Sequence, residues 1–302
     1  MKLCTFVPPG RKRTGGRLGV VVGDRVFEVT FRGGMEEFIS SGKKANSLRK
    51  GRSYPLAKAI LLVPLARPGK IVAAIVNTQA MLGGDDVRLD RPRLDMKAPS
   101  AVIGPGEVIR APASGFRPEV ELAVVVGRRI SRAAPPRAKE AIFGYTVLND
   151  VTSPPDSRED AYEAYRRDAQ TGQVTRRIMR GPLFRSKNHD TFCPMGPWIV
   201  TADELRDVSR LLMTSKFDGR VVQRGSTSDY LFRPEVIASY VSGFLTLEPG
   251  DIVSCGSVGW VGGEEGGDPA EFILPSKNGT LELEIEGIGV LKNIVKTEGS
   301  RS

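Results

Sequence analysis

Short apolar runs separated by turn residues dominate the pattern along the chain. Residues 18–29 contain two such runs around a Gly-Asp pair, which predicts a β-hairpin. Residues 119–126 begin with alternating polarity and become continuously apolar, which predicts a strand covered on both faces. Residues 141–148 and 251–255 have a similar strand pattern. The chain is therefore predicted to be mixed α/β and strand-dominated, without the regular alternation of a doubly wound sheet.

Helical spacing is confined to a few places. Residues 234–245 predict a helix, and Thr201 with Glu204 has the spacing of a capping box that would open another. Residues 153–185 are polar and carry charges of both signs, and the portion 156–170 predicts a helix. We interpret this segment as a solvated surface insertion, with a lid or a partner-binding arm as the alternative.

A boundary between two units is expected near residue 66, where Pro64, Pro68 and Gly69 interrupt the chain. Residues 1–66 then form a small N-terminal α+β domain, and residues 67–298 form the larger domain that includes the insertion. A length of 302 residues suits one large domain with a small companion.

Charge and residue counts narrow the classes of function. The 44 Lys and Arg against 35 Asp and Glu give +9, which suits an anionic substrate, a membrane surface or nucleic acid. The basic residues are scattered and no nucleic-acid recognition motif accompanies them, so nucleic-acid binding is the weaker alternative. One His and three Cys without a CxxC pair argue against zinc proteases and disulfide scaffolds. No signal peptide or long apolar run is found, so we expect a cytoplasmic protein without membrane association.

Two carboxylates lie side by side at the start of the most apolar strand. Glu119 and Glu121 are two residues apart and therefore point to one face of a strand, and Asp150 ends the next strand. Like charges held this close are costly without a cation or a shared proton. Three carboxylates without a neighbouring His or Cys favour a hard divalent ion, Mg²⁺ or Mn²⁺.

Several segments together resemble the fumarylacetoacetate hydrolase family. The most distinctive is Gly-Tyr-Thr-Val-Leu-Asn-Asp-Val-Thr, and the segments follow the family's order between about residues 70 and 296. The matching segments are residues 97–104, 119–127, 144–152, 187–197, 218–229, 245–251 and 285–289.

The resemblance implies a mixed β-roll catalytic domain that binds one divalent metal and commonly forms a homodimer. Members act on keto acids and diketones, and they hydrolyse a C–C bond, decarboxylate, dehydrate or tautomerise. Glu119, Glu121 and Asp150 fall on the family's metal-ligand positions, and Lys187 falls on its active-site lysine. A lysine there would place positive charge where an enolate develops.

The chain departs from the family where hydrolytic members carry a water-activating His-Glu pair. Met81 stands at the position of that His and Gly84 at the position of that Glu. The candidate replacements are Asp85, a displaced carboxylate, and His189, which lies within the segment around Lys187. The loss of a general base commonly costs roughly 10²–10⁴-fold in rate.

Candidate substrate contacts follow from the same resemblance. Pro154 replaces the Arg that members use to hold substrate, and Arg158 is the nearest cation. Ser257 keeps a hydroxyl in a modified glycine loop, and Gln223 and Thr227 lie in a matching segment. The expected activity is metal-dependent C–C bond hydrolysis of a keto acid or diketone. A lyase or isomerase of the same family is the alternative, because the His-Glu pair is missing.

Overall fold

The computed structural model describes residues 1–13, 15–82, 87–179, 181–261, 272–274 and 277–298. The strands are β1 Lys2–Val7, β2 Arg17–Val22, β3 Arg25–Val29, β4 Lys50–Pro55, β5 Ile60–Leu62, β6 Ile71–Val76, β7 Arg93–Lys97, β8 Val102–Ile103, β9 Val108–Ala111, β10 Val120–Val126, β11 Ile142–Asn149, β12 Tyr162–Arg167, β13 Val174–Met179, β14 Cys193–Thr201, β15 Leu212–Phe217, β16 Arg220–Ser226, β17 Ile252–Ser257, β18 Gly279–Ile285 and β19 Gly289–Thr297. The α-helices are α1 Met35–Ser40, α2 Pro135–Glu140, α3 Pro154–Glu159, α4 Phe184–Lys187 and α5 Pro234–Ser242. Five 3-10 turns cover Ala45–Ser47, Leu56–Lys58, Gln79–Met81, Pro99–Ala101 and Thr227–Asp229.

Two sheets build the body of the protein, so the prediction of a strand-dominated mixed α/β chain is confirmed. The larger sheet runs in the order β4-β3-β2-β1-β14-β11-β10-β17-β6-β7, with β5 paired to β1 and β8 paired to β14. The smaller sheet runs β16-β15-β18-β19-β9. Strand β10 is central and buried along its whole length, because its run of β-branched residues is covered on both faces.

The first 66 residues share a sheet and a core with the rest of the chain. Strand β1 pairs with β14 through Lys2 opposite Val200 and Leu3 opposite Ile199. One apolar cluster contains side chains from both portions, among them Phe38 from α1. The sheet is therefore continuous across the two predicted domains.

Close backbone approach fixes the middle of the larger sheet. A Cβ added at Gly144 in β11 would lie 2.4 Å from the carbonyl oxygen of Val200 in β14. Only glycine permits that spacing without a shift of one strand. Strand β11 is thus held against β14 on one side and β10 on the other.

The predicted helix over 156–170 is wrong beyond its first turn. Helix α3 ends at Glu159, and β12 and β13 then form a two-stranded hairpin. The chain reverses at Asp168, whose Oδ1 accepts hydrogen bonds from the backbone N–H groups of Gln170 and Thr171 at 2.9 and 2.8 Å. Gly172, at a positive φ of 68°, completes the reversal. Local turn chemistry therefore overrides the helical spacing.

The capping-box prediction at Thr201 is also wrong. Thr201 ends β14 and a turn follows it. Its hydroxyl accepts a 2.5 Å hydrogen bond from the Met1 amino group rather than from the backbone of a helix that begins there. The predicted helix over 234–245 is confirmed as α5.

No helix within the described residues has the length and apolar character needed to cross a bilayer.

Candidate metal centre

Strands β10 and β11 bring three carboxylates into one buried cluster. Glu119 precedes β10, Glu121 lies within it, and Asp150 follows β11, whose Asn149 is paired with Val120. The Asp150 N–H donates to the Glu119 carbonyl at 2.9 Å. One carboxylate oxygen from each acid lies within 4.8 Å of the others, and the three residues are at most 1% exposed. The strand spacing thus predicted their proximity correctly.

Glu121 is held by β17 on one oxygen only. Its Oε2 accepts hydrogen bonds from Ser254 Oγ at 2.6 Å and from the Gly256 N–H at 3.1 Å. Gly256 has a φ of +90°, and a Cβ there would lie 2.7 Å from the Cβ of Asn77. The other oxygen, Oε1, is buried and has no hydrogen-bond partner among the described residues. Such an oxygen is costly unless a ligand satisfies it.

Glu119 is oriented from the opposite side. Its Oε1 accepts hydrogen bonds from Arg117 Nε at 2.8 Å and from Thr152 Oγ1 at 3.1 Å. The Arg117 guanidinium also lies 4.8 Å from the ring centroid of Trp260, a cation–π geometry. These contacts fix the carboxylate so that its second oxygen faces the cluster.

Two buried lysines neutralise the acids. Lys187 Nζ, at the end of α4, lies 2.9 Å from Glu119 Oε2 and 2.6 Å from Asp150 Oδ2. Lys97 Nζ, at the end of β7, lies 2.8 Å from Asp150 Oδ1 and donates to the carbonyls of Val151 and Lys187. Asp150 thus has an ammonium group on each oxygen.

Burial and neighbouring charges shift the pKa values of Glu121 and Asp150 in opposite directions. Burial, reinforced by Asp150 and Glu119, raises the pKa of Glu121 well above its usual range. Burial also opposes ionisation of Asp150, but Lys187 and Lys97 outweigh it and lower the pKa of that carboxyl. Burial opposes the charge of Lys187, yet Asp150 and Glu119 outweigh it and raise the pKa of the ammonium. The ion pairs with Asp150 and Glu119 therefore favour the charged form of Lys187.

The donor set fits a hard divalent cation. All three side chains offer carboxylate oxygens, the type of ligand that Mg²⁺ and Mn²⁺ prefer. The buried and unpartnered Oε1 of Glu121 is an oxygen that a cation would satisfy. The cluster can hold one metal ion, and its donor set does not distinguish Mg²⁺ from Mn²⁺.

Metal binding should release a proton. The raised pKa of Glu121 means that this carboxyl keeps its proton to higher pH in the metal-free protein, whereas a metal ligand must be deprotonated. We therefore expect the affinity for Mn²⁺ to weaken as the pH falls through the raised range in which this carboxyl takes up its proton. Calorimetric titration in buffers of different ionisation enthalpy measures the protons released. An affinity that is constant over this range would contradict the expectation.

The remaining catalytic candidates differ in position. His189 lies two residues beyond Lys187, and its Nε2 is 2.5 Å from Oδ2 of the buried Asp156. Arg158 lies in α3, the helix that also carries Asp156. The prediction for Asp85 lies outside the described residues. Met81 ends the 3-10 turn Gln79–Met81.

Gln223 and Ser257 form a buried bridge behind β10. Gln223 accepts from the Val120 N–H at 2.9 Å and donates to Ser257 Oγ and the Val258 carbonyl, both at 2.9 Å. Ser257 Oγ donates in turn to the Val120 carbonyl at 3.1 Å. Their polar groups thus position the strand between Glu119 and Glu121. The Thr227 hydroxyl donates a hydrogen bond to the Val208 carbonyl and accepts one from the Leu211 N–H.

Sequence reasoning assigned no role to four supporting residues. Lys97 and Arg117 contribute charge, Ser254 holds Glu121, and Asn77 joins the Cys255 carbonyl to the backbone of Phe232. Two of them carried a signal, since Lys97 begins a matching segment and Asn77 begins the segment that lacks the His-Glu pair. Arg117 and Ser254 look like ordinary polar positions along the chain.

The fold and the buried acidic cluster with its lysines define a strand-dominated protein with a candidate metal centre. The family model described as fumarylacetoacetate (FAA) hydrolase, C-terminal, matches residues 71–296. The chain belongs to the fumarylacetoacetate hydrolase family. It is 31% identical over 289 residues to oxaloacetate tautomerase FAHD2A, mitochondrial, from Bos taurus. The matched residues cover 93% of this chain and 85% of the bovine protein.

Solved structures of similar proteins include both isomerases and hydrolases. A 5-carboxymethyl-2-hydroxymuconate delta-isomerase from Mycobacterium smegmatis is 29% identical with a TM-score of 0.73. A maleylpyruvate hydrolase from Sphingobium sp. SYK-6, in complex with manganese(II) and pyruvate, is 26% identical with a TM-score of 0.74. Both likenesses cover 99% of this chain and 100% of the other. Family membership therefore establishes that the protein is an enzyme but does not specify the reaction, which has to be inferred from the residues of the site.

Proposed function

We propose that the protein is a metal-dependent keto–enol tautomerase that acts on a compact 2-oxo dicarboxylate such as oxaloacetate. The observation that carries the proposal is the ammonium of Lys187 lying against Glu119 and Asp150 within the acidic cluster. A fixed cation beside a metal site stabilises the negative charge of an enolate, which is the intermediate that links the keto and enol forms.

Each group in the cluster has a part in this chemistry. Glu119, Glu121 and Asp150 would hold the divalent ion, which supplies Lewis-acid polarisation of the keto oxygen when bound. Lys187 places its charge beside the developing enolate oxygen. Lys97 and Arg117 keep Asp150 and Glu119 oriented, so that the carboxylates do not reorganise as charge develops.

The choice of tautomerisation over hydrolysis follows from what each reaction requires. Hydrolysis of a C–C bond needs an activated water, and Met81 stands where hydrolytic members carry the His of their water-activating pair. A thioether cannot accept a proton at neutral pH. Keto–enol exchange needs enolate stabilisation and a proton carrier, but no attacking water. The likeness to a bovine protein named oxaloacetate tautomerase supports the same choice.

Hydrolysis of a C–C bond is the second candidate. The likeness in fold to a maleylpyruvate hydrolase with bound manganese and pyruvate favours it. The pairing of His189 with a buried carboxylate also offers a group that could activate water. Simple acylpyruvates are the substrates that separate this candidate from tautomerisation.

The assay follows enol disappearance and product formation together. Freshly dissolved enol oxaloacetate is mixed with protein and Mg²⁺ or Mn²⁺, and the enol absorbance is recorded beside pyruvate release. We expect metal-dependent acceleration of keto–enol exchange without matching pyruvate, and weak turnover of acylpyruvates. Stoichiometric pyruvate would indicate a decarboxylase instead. Acylpyruvate cleavage at ordinary enzymatic rates would favour the hydrolase.

A further inference from the structure

The sole histidine of the chain is held by a buried acid. His189 Nε2 lies 2.5 Å from Asp156 Oδ2, and the Asp156 side chain is about nine-tenths buried. The imidazole ring also packs against Phe192 with a centroid distance of 4.8 Å. Its second nitrogen, Nδ1, has no hydrogen bond with the described residues, and the side chain is 35% exposed. The ring is thus fixed by one nitrogen and open at the other.

The pair lies beside the acidic cluster. Helix α3 begins four residues after Asp150, and the Ser153 N–H donates to the Ser186 carbonyl at 2.8 Å, which joins α3 to α4 next to Lys187. Lys187 projects into the cluster and is only 3% exposed, whereas His189 two residues later reaches solvent. His189 is therefore close to Lys187 along the chain, and its imidazole, unlike the lysine ammonium, is accessible to solvent.

The proposed tautomerisation needs a proton carrier, and among the described residues neither Lys187 nor the three cysteines suit that role. Lys187 donates to two carboxylates, so it offers protons and no lone pair. Cys4, Cys193 and Cys255 are buried, and burial raises the pKa of each thiol, to about 12 for the first two. An imidazole is the side chain that accepts and returns a proton near neutral pH.

We propose that His189 and Asp156 form a proton-transfer dyad for this site, with Asp156 as the positioning residue. The inference rests on the proposed function. Nε2–H donates to the carboxylate, which leaves Nδ1 as the acceptor. Nδ1 takes the C3 proton of the keto acid, and the C–H electron pair forms the C2=C3 bond. The carbonyl pair moves to the C2 oxygen, which receives a proton from solvent, and Nδ1 releases the C3 proton to solvent, so one proton is taken up and one is given back in the isomerisation.

The described charged groups that contact the dyad lie in α4 and in or just after α3. Arg185 Nη1 lies 3.1 Å from Asp156 Oδ1, and the guanidinium also pairs with Glu159 and Asp160, so it joins the Asp156 carboxylate to the C-terminal end of α3. Asp156 Oδ2 is left for the imidazole. One further acid, Asp190, directly follows His189 in the sequence.

The kinetic test uses His189→Gln and Asp156→Asn, with Asp160→Asn as the matched control. Asp160 shares the Arg185 contact but does not touch His189. We expect kcat for enol exchange to fall roughly 10²-fold or more in His189→Gln, less in Asp156→Asn, and little in Asp160→Asn. The acid limb of the wild-type pH profile should disappear in His189→Gln. Unchanged kcat and pH profile in that variant would overturn the dyad.

Magnetic resonance tests the dyad independently of turnover. A single histidine gives one imidazole spin system, and its ¹⁵N shifts report which nitrogen carries the proton. We expect Asp156→Asn, but not Asp160→Asn, to change the Nε2 shift, and Mg²⁺ with oxalate to move the Nδ1 shift. Imidazole ¹⁵N shifts that change neither in Asp156→Asn nor on addition of Mg²⁺ with oxalate would overturn the proposal. A responsive ring in a protein without enol exchange would instead refute the tautomerase and keep the dyad in the site.

Discussion

Replacing Glu121 with glutamine should abolish the response to metal without destabilising the metal-free protein. The carboxylate is buried, its pKa is raised by that burial, and its Oε1 has no partner among the described residues. A neutral amide relieves the cost of burying charge and keeps an oxygen for Ser254 and Gly256. Loss of a ligand, however, removes Lewis-acid assistance of several kcal/mol, about 10³-fold in rate or more.

The matched control is Glu284→Gln. Glu284 belongs to another Glu-x-Glu pair, in β18, but its side chain is exposed. We expect Glu121→Gln to keep or raise the melting temperature of the metal-free protein and to lose the increase that Mn²⁺ gives to wild type. Glu284→Gln should behave as wild type in both respects. A metal-induced increase that survives in Glu121→Gln would place the ion elsewhere.

The parts of the fold set by local pattern could be predicted from sequence. The apolar run after Glu121 is long and β-branched, so a central buried strand was its natural outcome, and the period of two placed Glu119 on the same face. Asp150 followed because a strand of similar pattern ends there. These inferences need only neighbouring residues and a strand pairing, and the structure brings all three acids together.

The parts of the structure that depend on contacts between residues distant in sequence could not be predicted in this way. A buried Lys97 cannot be told from a solvated lysine in sequence, because its burial comes from Asp150, 53 residues away by number, and from the carbonyls of α4 and Val151. The hairpin over 162–179 competes with a helix of similar propensity, and the turn at Asp168 decides the outcome. His189 was a candidate without a partner until Asp156 was placed beside it.

Replacing Lys187 with methionine should weaken the metal-free protein and make its stability depend strongly on metal. The Lys187 ammonium lies 2.9 Å from Glu119 and 2.6 Å from Asp150, and its side chain is 4% exposed. Its removal leaves buried carboxylate charge short of a cation, which typically costs about 3–5 kcal/mol. For a chain of this size the melting temperature should fall by roughly 6–15 °C.

A divalent ion should restore part of that loss, since it supplies the positive charge that the carboxylates lack. We therefore expect a larger Mn²⁺-induced increase in melting temperature for Lys187→Met than for wild type, together with loss of enol exchange, because the enolate no longer meets an ammonium. Lys292→Met is the control, as Lys292 forms an exposed ion pair with Glu282 at 2.7 Å, and such pairs contribute little. Thermal denaturation with and without Mn²⁺ measures both effects. A Lys187→Met protein as stable as wild type without metal would show that the lysine does not neutralise these acids in solution.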